Sequence, residues 1–233
     1  MNRRIEQLLV EMAEEVHQEP AQAIERIAEY ARSAVNGEDS GILLTKAKGR
    51  VETPAGTSAR VTEAHALQGE LDEGPCLDAV RTDEHTRLVT DTATDERWPR
   101  WAPRTMALGY RSVISARLET SQRRIGSLNV YDSRVGAFTP SDLDVLQLLA
   151  LHASVAYANA QSNVSLQAAL DSRTVIGQAQ GILMQAFDLE PAVAFAYLRR
   201  RSQDENTRLI DVAHEVVRTR AGLGRGGGPT ESP

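Results

Sequence analysis

The sequence predicts an α/β domain followed by an all-helical module, the two joined by one long helix. Three observations carry this. Between Gly41 and Tyr131, short apolar or alternating runs recur between glycine- and proline-bearing turns, which is the texture of strands. From Leu143 to Val164, apolar residues keep a strict 3-4 spacing without a proline or glycine, the period of a helix. From Arg173 to Val217, further helical patterns follow. At 233 residues the chain has room for two domains of ordinary size.

The composition agrees with folded cores: 41% apolar and 25% charged residues are ordinary globular values and fit no disordered or fibrous class. Met1-Asn2-Arg3-Arg4-Ile5-Glu6, followed by Glu11, Glu14 and Glu15, writes neither a signal peptide nor a membrane span. A cytoplasmic protein with no membrane partner is expected. A single cysteine, Cys76, rules out an internal disulfide and leaves too few soft ligands for a structural zinc site. The net charge of −6 is not that of a general nucleic-acid binder. The acidic excess lies in the first 164 residues and the remainder is close to balance, so an anionic partner would meet the C-terminal end.

In chain order, Ile5, Leu8, Leu9, Met12 and Val16 form a helical stripe within residues 1–19. Pro20 suits the first position of a second helix, whose buried face is Ile24, Ile27, Ala28, Ala31 and Val35 and which Asn36-Gly37 ends. Strands follow at Ile42-Leu43-Leu44 and Arg60-Val61-Thr62, with Lys48-Gly49 and Pro54-Ala55-Gly56 as turns. Thr86 to Val89, Arg111 to Leu118 and Ile125 to Tyr131 are further strands, the last two a hairpin across Glu119 to Arg124. Cys76 to Arg81 and Trp98 to Leu108 are short helices or structured loops. Thr139-Pro140 starts the long helix, with a capping threonine, proline at the first position, and Asp142 and Asp144 at the positive end of the helix dipole. Along it, Leu143, Leu146, Ala150, Ala153, Tyr157, Ala160 and Val164 have the period of a seam between two helices, and form the expected dimer seam. After Ala221 the glycine-rich stretch is too poor in apolar residues to offset the entropy of ordering, so residues 221–233 are expected to be a disordered tail.

The order of helix, strands, short helices, paired strands and long helix resembles a GAF domain. Asp72-Glu73-Gly74-Pro75-Cys76-Leu77-Asp78-Ala79-Val80, Arg97-Trp98-Pro99-Arg100-Trp101 and Gly126-Ser127-Leu128-Asn129-Val130-Tyr131 carry the likeness. The resemblance implies an antiparallel sheet with flanking helices and a pocket that senses a small molecule. This sensor domain is expected over residues 20–140, with 141–172 as a coiled-coil-like connecting helix. No residue pattern names a ligand, and no cofactor or metal is identified. Cys76, Trp98 and Trp101 are the candidate pocket residues. Each has a plainer reading as core, since cysteine and tryptophan both pack readily in interiors. A GAF-type redox enzyme using Cys76 is the alternative of another class, although no second thiol is present to resolve a sulfenic acid. No Ser-His-Asp signature, phosphate-cradling glycine loop or metal motif appears, so a regulator and not an enzyme is expected.

Ile176-Gly177-Gln178-Ala179-Gln180-Gly181-Ile182-Leu183-Met184, with Ala194-Phe195, Leu198-Arg199, Ser202, Asn206 and Leu209-Ile210-Asp211-Val212-Ala213, resembles the ANTAR domain of RNA-binding antiterminators. The likeness implies an all-α three-helix module over residues 173–220 that binds paired stem-loops in nascent RNA, so that a terminator hairpin cannot form. RNA polymerase is then affected only indirectly, and a homodimer would present two such modules. Arg173, Gln180, Arg199, Arg200 and Arg208 are the candidate RNA contacts. Gly177 and Gly181 strip side chains from two successive turns of one helix side, which admits either a closely crossing helix or RNA. Phe195 and Leu198, with Ala194 and Tyr197 beside them, are expected on the buried side of their helix, leaving Arg199 and Arg200 outward. Arg208 can contact RNA or pair with Asp211 at i+3. Asn206 is expected to cap the third helix, and Ser202 with Glu205 also fits a capping box. Many members of the family carry lysine where this chain has Gln180, so a charge-assisted phosphate contact is absent. A protein-interaction scaffold without RNA specificity is the remaining alternative.

Overall fold

The computed structural model describes residues 20–46, 49–121 and 123–219; the expected helix at 1–19 and tail at 221–233 lie outside them. By its contacts the chain divides into two units, residues 1–161 and 162–233.

The first unit runs α1 (Pro20–Ala34), β1 (Asp39–Thr45), β2 (Val51–Gly56), α2 (Ala59–Leu71), α3 (Pro75–Arg81), β3 (Thr86–Val89), α4 (Trp101–Ala107), β4 (Ser112–Glu119), β5 (Arg124–Asp132) and the first part of α5 (Pro140–Phe187). Its strands form one antiparallel sheet in the order β2-β1-β5-β4-β3. Successive side chains alternate across a strand, and here each face has its own helical cover. Ile42 and Leu44, Ile114, Ala116 and Leu118, and Leu128 and Val130 pack with Ile27 and Ala31 of α1 and Leu146, Leu149, Ala150 and Ala153 of α5. Leu43, Val113 and Tyr131 point the other way, onto Val61, Ala64 and Leu67 of α2, Cys76 and Leu77 of α3, and Trp101 of α4. The result is three layers, helices on both sides of a sheet.

Local chemistry fixes the joints. Asn36 takes the left-handed conformation after α1 (φ 52°), and the Gly37 N–H donates to the Arg32 carbonyl at 2.9 Å, closing the helix. A Cβ at Gly126 would lie 1.9 Å from the Leu43 carbonyl oxygen, so β5 can approach β1 only with glycine there. At the start of α5, the Thr139 N–H donates to Asp142 Oδ2 (2.8 Å) and the Asp142 N–H donates back to Thr139 Oγ1 (3.3 Å), a reciprocal cap.

Two segments differ from the sequence expectation. Arg60-Val61-Thr62 lies in the first turn of α2, not in a strand. β-branched residues favour strands only weakly, and Val61, Ala64, His65, Gln68 and Leu71 are buried at helical spacing, so packing outweighs propensity. Pro54-Ala55-Gly56 belongs to β2 and not to a turn. β2 is an edge strand whose register shifts between Ile42 and Leu44 of its partner, and proline is tolerated at an edge and at a bulge because no ladder bond is lost.

The expected seam on α5 is corrected more substantially. Leu146, Ala150, Ala153 and Tyr157 are buried in the first unit's own core, with Leu143 partly buried against it. They cannot form a surface for a second chain. Val164 is exposed at 66%, and the Ala160 side chain lies outside the described residues. A 3-4 period states that one side of a helix is covered, not by what; the sheet of the same chain covers this one.

The second unit consists of the remainder of α5, α6 (Pro191–Asp204) and α7 (Leu209–Thr219), packed around Ala179, Leu183, Ala194, Leu198, Val212, Ala213 and Val216. α5 passes through Gly177 and Gly181 unbroken and ends at Asp188 (φ 51°). Ser202 lies within α6, and Asn206 is left-handed (φ 49°) just beyond its end. Asn206 therefore closes the second helix of this unit in place of opening the third, and Ser202 with Glu205 makes no capping box. Ser202 Oγ donates instead to the Thr207 carbonyl at 2.6 Å.

Candidate nucleic-acid interface

On α5, Arg173, Gly177 and Gly181 follow one another at four-residue steps and all three are exposed. A Cβ built at either glycine meets nothing within 4 Å. The reading of these glycines as a tight crossing with another helix of the chain is thus excluded among the described residues. Each glycine in a helix interior costs about 1 kcal/mol against alanine, and no packing among the described residues offsets it. The helix is bare on that side over two turns, with an arginine at its upstream edge.

The candidate polar residues separate into two groups. Arg173 and Arg199 are exposed and, among the described residues, neither has an ion-pair or hydrogen-bond partner. Arg200 has a loose contact to Asp204 at 3.7 Å, with its side chain 85% exposed. The other two are engaged. Gln180 Nε2 donates to the Pro191 carbonyl at 2.7 Å, tying α5 to the start of α6, which leaves its second N–H and its amide oxygen for another partner. Arg208 donates from Nε and an Nη to the two carboxylate oxygens of Asp211, at 2.8 and 3.0 Å. That pair holds the Asp211 carboxyl below its usual range, yet it is exposed, and such pairs contribute little net stability, so a phosphate could displace the carboxylate. Arg201 faces inward to Glu205 and Glu215 (2.5 and 2.8 Å).

Phe195 departs from expectation. Ala194 and Leu198 are fully buried and Tyr197 packs partly against the core, but Phe195 is 39% exposed. It stands one turn before Arg199, on the same side as the guanidinium.

The candidate pocket residues of the first unit are enclosed: Cys76 and Trp101 are 0% and Trp98 3% exposed. The two indoles meet edge to face at 5.9 Å, and Trp98 Nε1 donates to Asp78 Oδ2 at 2.9 Å. The tryptophans are buried in the core, in one cluster with residues of α2 and α3. A groove of about 390 Å³ lies elsewhere, lined by residues including His85, Glu119, Asp144 and Leu151.

Around Cys76 the interior is polar but neutral. Gln68 Oε1 accepts the Cys76 N–H (2.9 Å), Gln68 Nε2 donates to Cys76 Sγ (2.8 Å), and Tyr131 Oη lies 3.3 Å from the sulfur. Asn129 Nδ2 donates to His65 Nε2 (3.1 Å), which places the imidazole proton on Nδ1, toward Thr53 Oγ1 (3.0 Å). Burial pushes the Cys76 thiol and the Tyr131 hydroxyl up and drives His65 down to about 3. A protonated, enclosed thiol is not a thiolate nucleophile, which weighs against the redox reading. Asn129 Oδ1 and Ser127 Oγ are buried without a partner among the described residues.

The GAF domain family matches residues 17–158 and the ANTAR domain family residues 165–217. The chain belongs to the GAF family and ends in an ANTAR domain. This GAF–ANTAR pairing assigns it to signal sensing and RNA-binding regulation. No curated protein matches the chain. Among solved structures, the phycoerythrobilin-bound GAF domain of a cyanobacterial phytochrome is 16% identical, covering 70% of this chain and 98% of its own, with a TM-score of 0.56. The GAF domain of an Acinetobacter phosphoenolpyruvate-protein phosphotransferase is 15% identical over 71% of this chain and 99% of its own (TM-score 0.54). Free methionine-R-sulfoxide reductase of Neisseria meningitidis, solved with its substrate, is 16% identical over 70% and 95% (TM-score 0.50). At these identities the likeness is one of fold. Among the described residues of the GAF–ANTAR chain, no helix is long and apolar enough to cross a membrane, and no cluster of metal-ligating side chains occurs.

Proposed function

We propose that the chain is a transcription antitermination regulator whose ANTAR domain binds paired stem-loops in nascent RNA under the control of its GAF domain. The observation that supports this reading is the bare face at Gly177 and Gly181 beside Arg173: a helix side cleared of side chains, met by no other described residue, and flanked by an arginine that has no partner among the described residues. RNA loops suit it, because their unstacked bases can reach backbone and amide groups while arginines hold phosphates. The protein's net charge of −6 requires that attraction to be local.

A homodimer would present two such faces. Residues 145–170 contain no Asp, Glu, Lys or Arg, yet 161–170 are exposed throughout, with Leu166 at 62% and Leu170 at 51%. Solvated helices ordinarily carry charge, and an uncharged apolar face can meet its own copy without repulsion. Leu166 and Leu170 are the residues we assign to self-pairing. They stand in the place of the stripe centred on Leu146.

The test is RNA binding by Arg173→Ala/Arg199→Ala across a salt series. Each arginine removed is expected to weaken binding about tenfold, and the pair to lower the log–log salt slope by about one to two. An unchanged slope and affinity would remove both residues from the interface.

A further inference from the structure

We infer that Phe195 is a stacking platform for an unpaired base of the bound RNA, with Arg199 holding the phosphate beside it. The inference rests on the RNA-binding reading and adds to it the residue that grips a base. α6 buries one side through Ala194 and Leu198, both 0% exposed, and Phe195 lies about 100° around the helix from Ala194. Its ring is not needed to seal the core. Its neighbours on the helix surface, Ala192 and Ala196, are small and exposed, so the ring is not crowded by its own helix. Arg199 follows at i+4, the spacing that brings side chains together, and has no partner among the described residues.

The exposed apolar residues of this unit fall into two chemical settings. Val164, Leu166 and Leu170 lie in the uncharged stretch. Val193 and Phe195 share α6 with Arg199 and Arg200. Self-association through the second set would bring arginines face to face, whereas a polyanion with flat, unstacked bases complements both the charge and the ring. Base–aromatic stacking tolerates sequence, because every base has a π-face, and removing the aromatic typically weakens binding about 5- to 150-fold.

The probe is the tightest binder selected by the full-length protein from a pool of RNAs with two linked stem-loops and randomised loops, with 2-aminopurine placed at each loop position in turn. Phe195→Ala should lower affinity about 5- to 150-fold, leave the salt slope unchanged, and abolish the fluorescence quenching seen at one loop position with the wild type. Phe195→Trp should retain both affinity and quenching, while Arg199→Ala should lower the slope. Circular dichroism and sedimentation of each variant report folding and self-association. Undiminished binding by Phe195→Ala overturns the inference, as does rescue by Phe195→Leu equal to that by Phe195→Trp, or loss of binding that tracks dissociation of a dimer. A wild type that enriches no looped RNA from the pool overturns the underlying RNA reading, an outcome distinct from any of these.

Discussion

Leu166→Asp/Leu170→Asp is expected to turn a dimer into a monomer and to weaken binding to an RNA with two linked stem-loops by about 100-fold or more, while binding to a single stem-loop changes little. The direction follows from charge. The stretch from 145 to 170 has no Asp, Glu, Lys or Arg, so symmetric pairing would bury four new carboxylates with no arginine or lysine of that stretch to offset them. Burying an unpaired charge costs several kcal/mol, more than a small helical interface can offset. The magnitude follows from linkage: two joined binding events gain about 10²–10⁴ in avidity over one, and a monomer loses that gain. The two leucines are exposed and absent from the described core of the second unit, so the fold should survive. Sedimentation velocity and titration with one-loop and two-loop RNAs read the two effects separately. Equal loss on both RNAs would place the leucines in the RNA contact itself; no change in mass would remove them from self-pairing.

The second large effect is on stability. His65 is wholly enclosed and its imidazole is held down to about 3, against an ordinary 6.5, by the cost of burying its charge. Because the folded state resists protonation, its contribution is complete above pH 6.5 and is lost as pH falls from 6.5 toward 3. Each unit of displacement is worth about 1.4 kcal/mol, so urea unfolding at pH 5.0 should show the first unit about 2 kcal/mol less stable than at pH 7.5. The paired carboxylates do not confuse this window. Glu38, Asp39, Asp91 and Asp132 are held low mainly by hydrogen bonds and arginine partners, against burial, and their contributions are lost only below the ordinary carboxylate range. His65→Gln, able to keep one bond to Thr53 and one to Asn129, should flatten the stability between pH 7.5 and 5.0. An unchanged slope in that variant would assign the acid sensitivity to other groups.

Much of this architecture is written locally. The hairpin of β4 and β5, the Thr139-Pro140 start of α5 and the stop at Asn36 depend on alternation, capping chemistry and left-handed tolerance, which neighbouring residues decide. What sequence did not disclose is what each face meets. The stripe of Leu146, Ala150, Ala153 and Tyr157 has the same period whether a sheet or a second helix covers it. Val61 reads as strand until its burial with Ala64 and Gln68 is known. Phe195 looks buried by type, although Ala194 and Leu198 already fill the seam with α7. The proposed pairing face has a signal in the sequence: leucines at 166 and 170 within 26 residues, 145–170, that lack Asp, Glu, Lys and Arg. The pairing of Gln180 with Pro191 and the polar enclosure of Cys76 are tertiary facts with no local pattern.

The proposed ANTAR face should recognise looped RNA in particular. The most direct test is equilibrium binding of the intact protein at physiological salt to a selected two-stem-loop RNA, to a linear RNA of the same length, and to the same stems with scrambled loops. Looped RNA should bind at least tenfold more tightly than either control. Equal, weak retention of all three would rule out recognition of loops by this face.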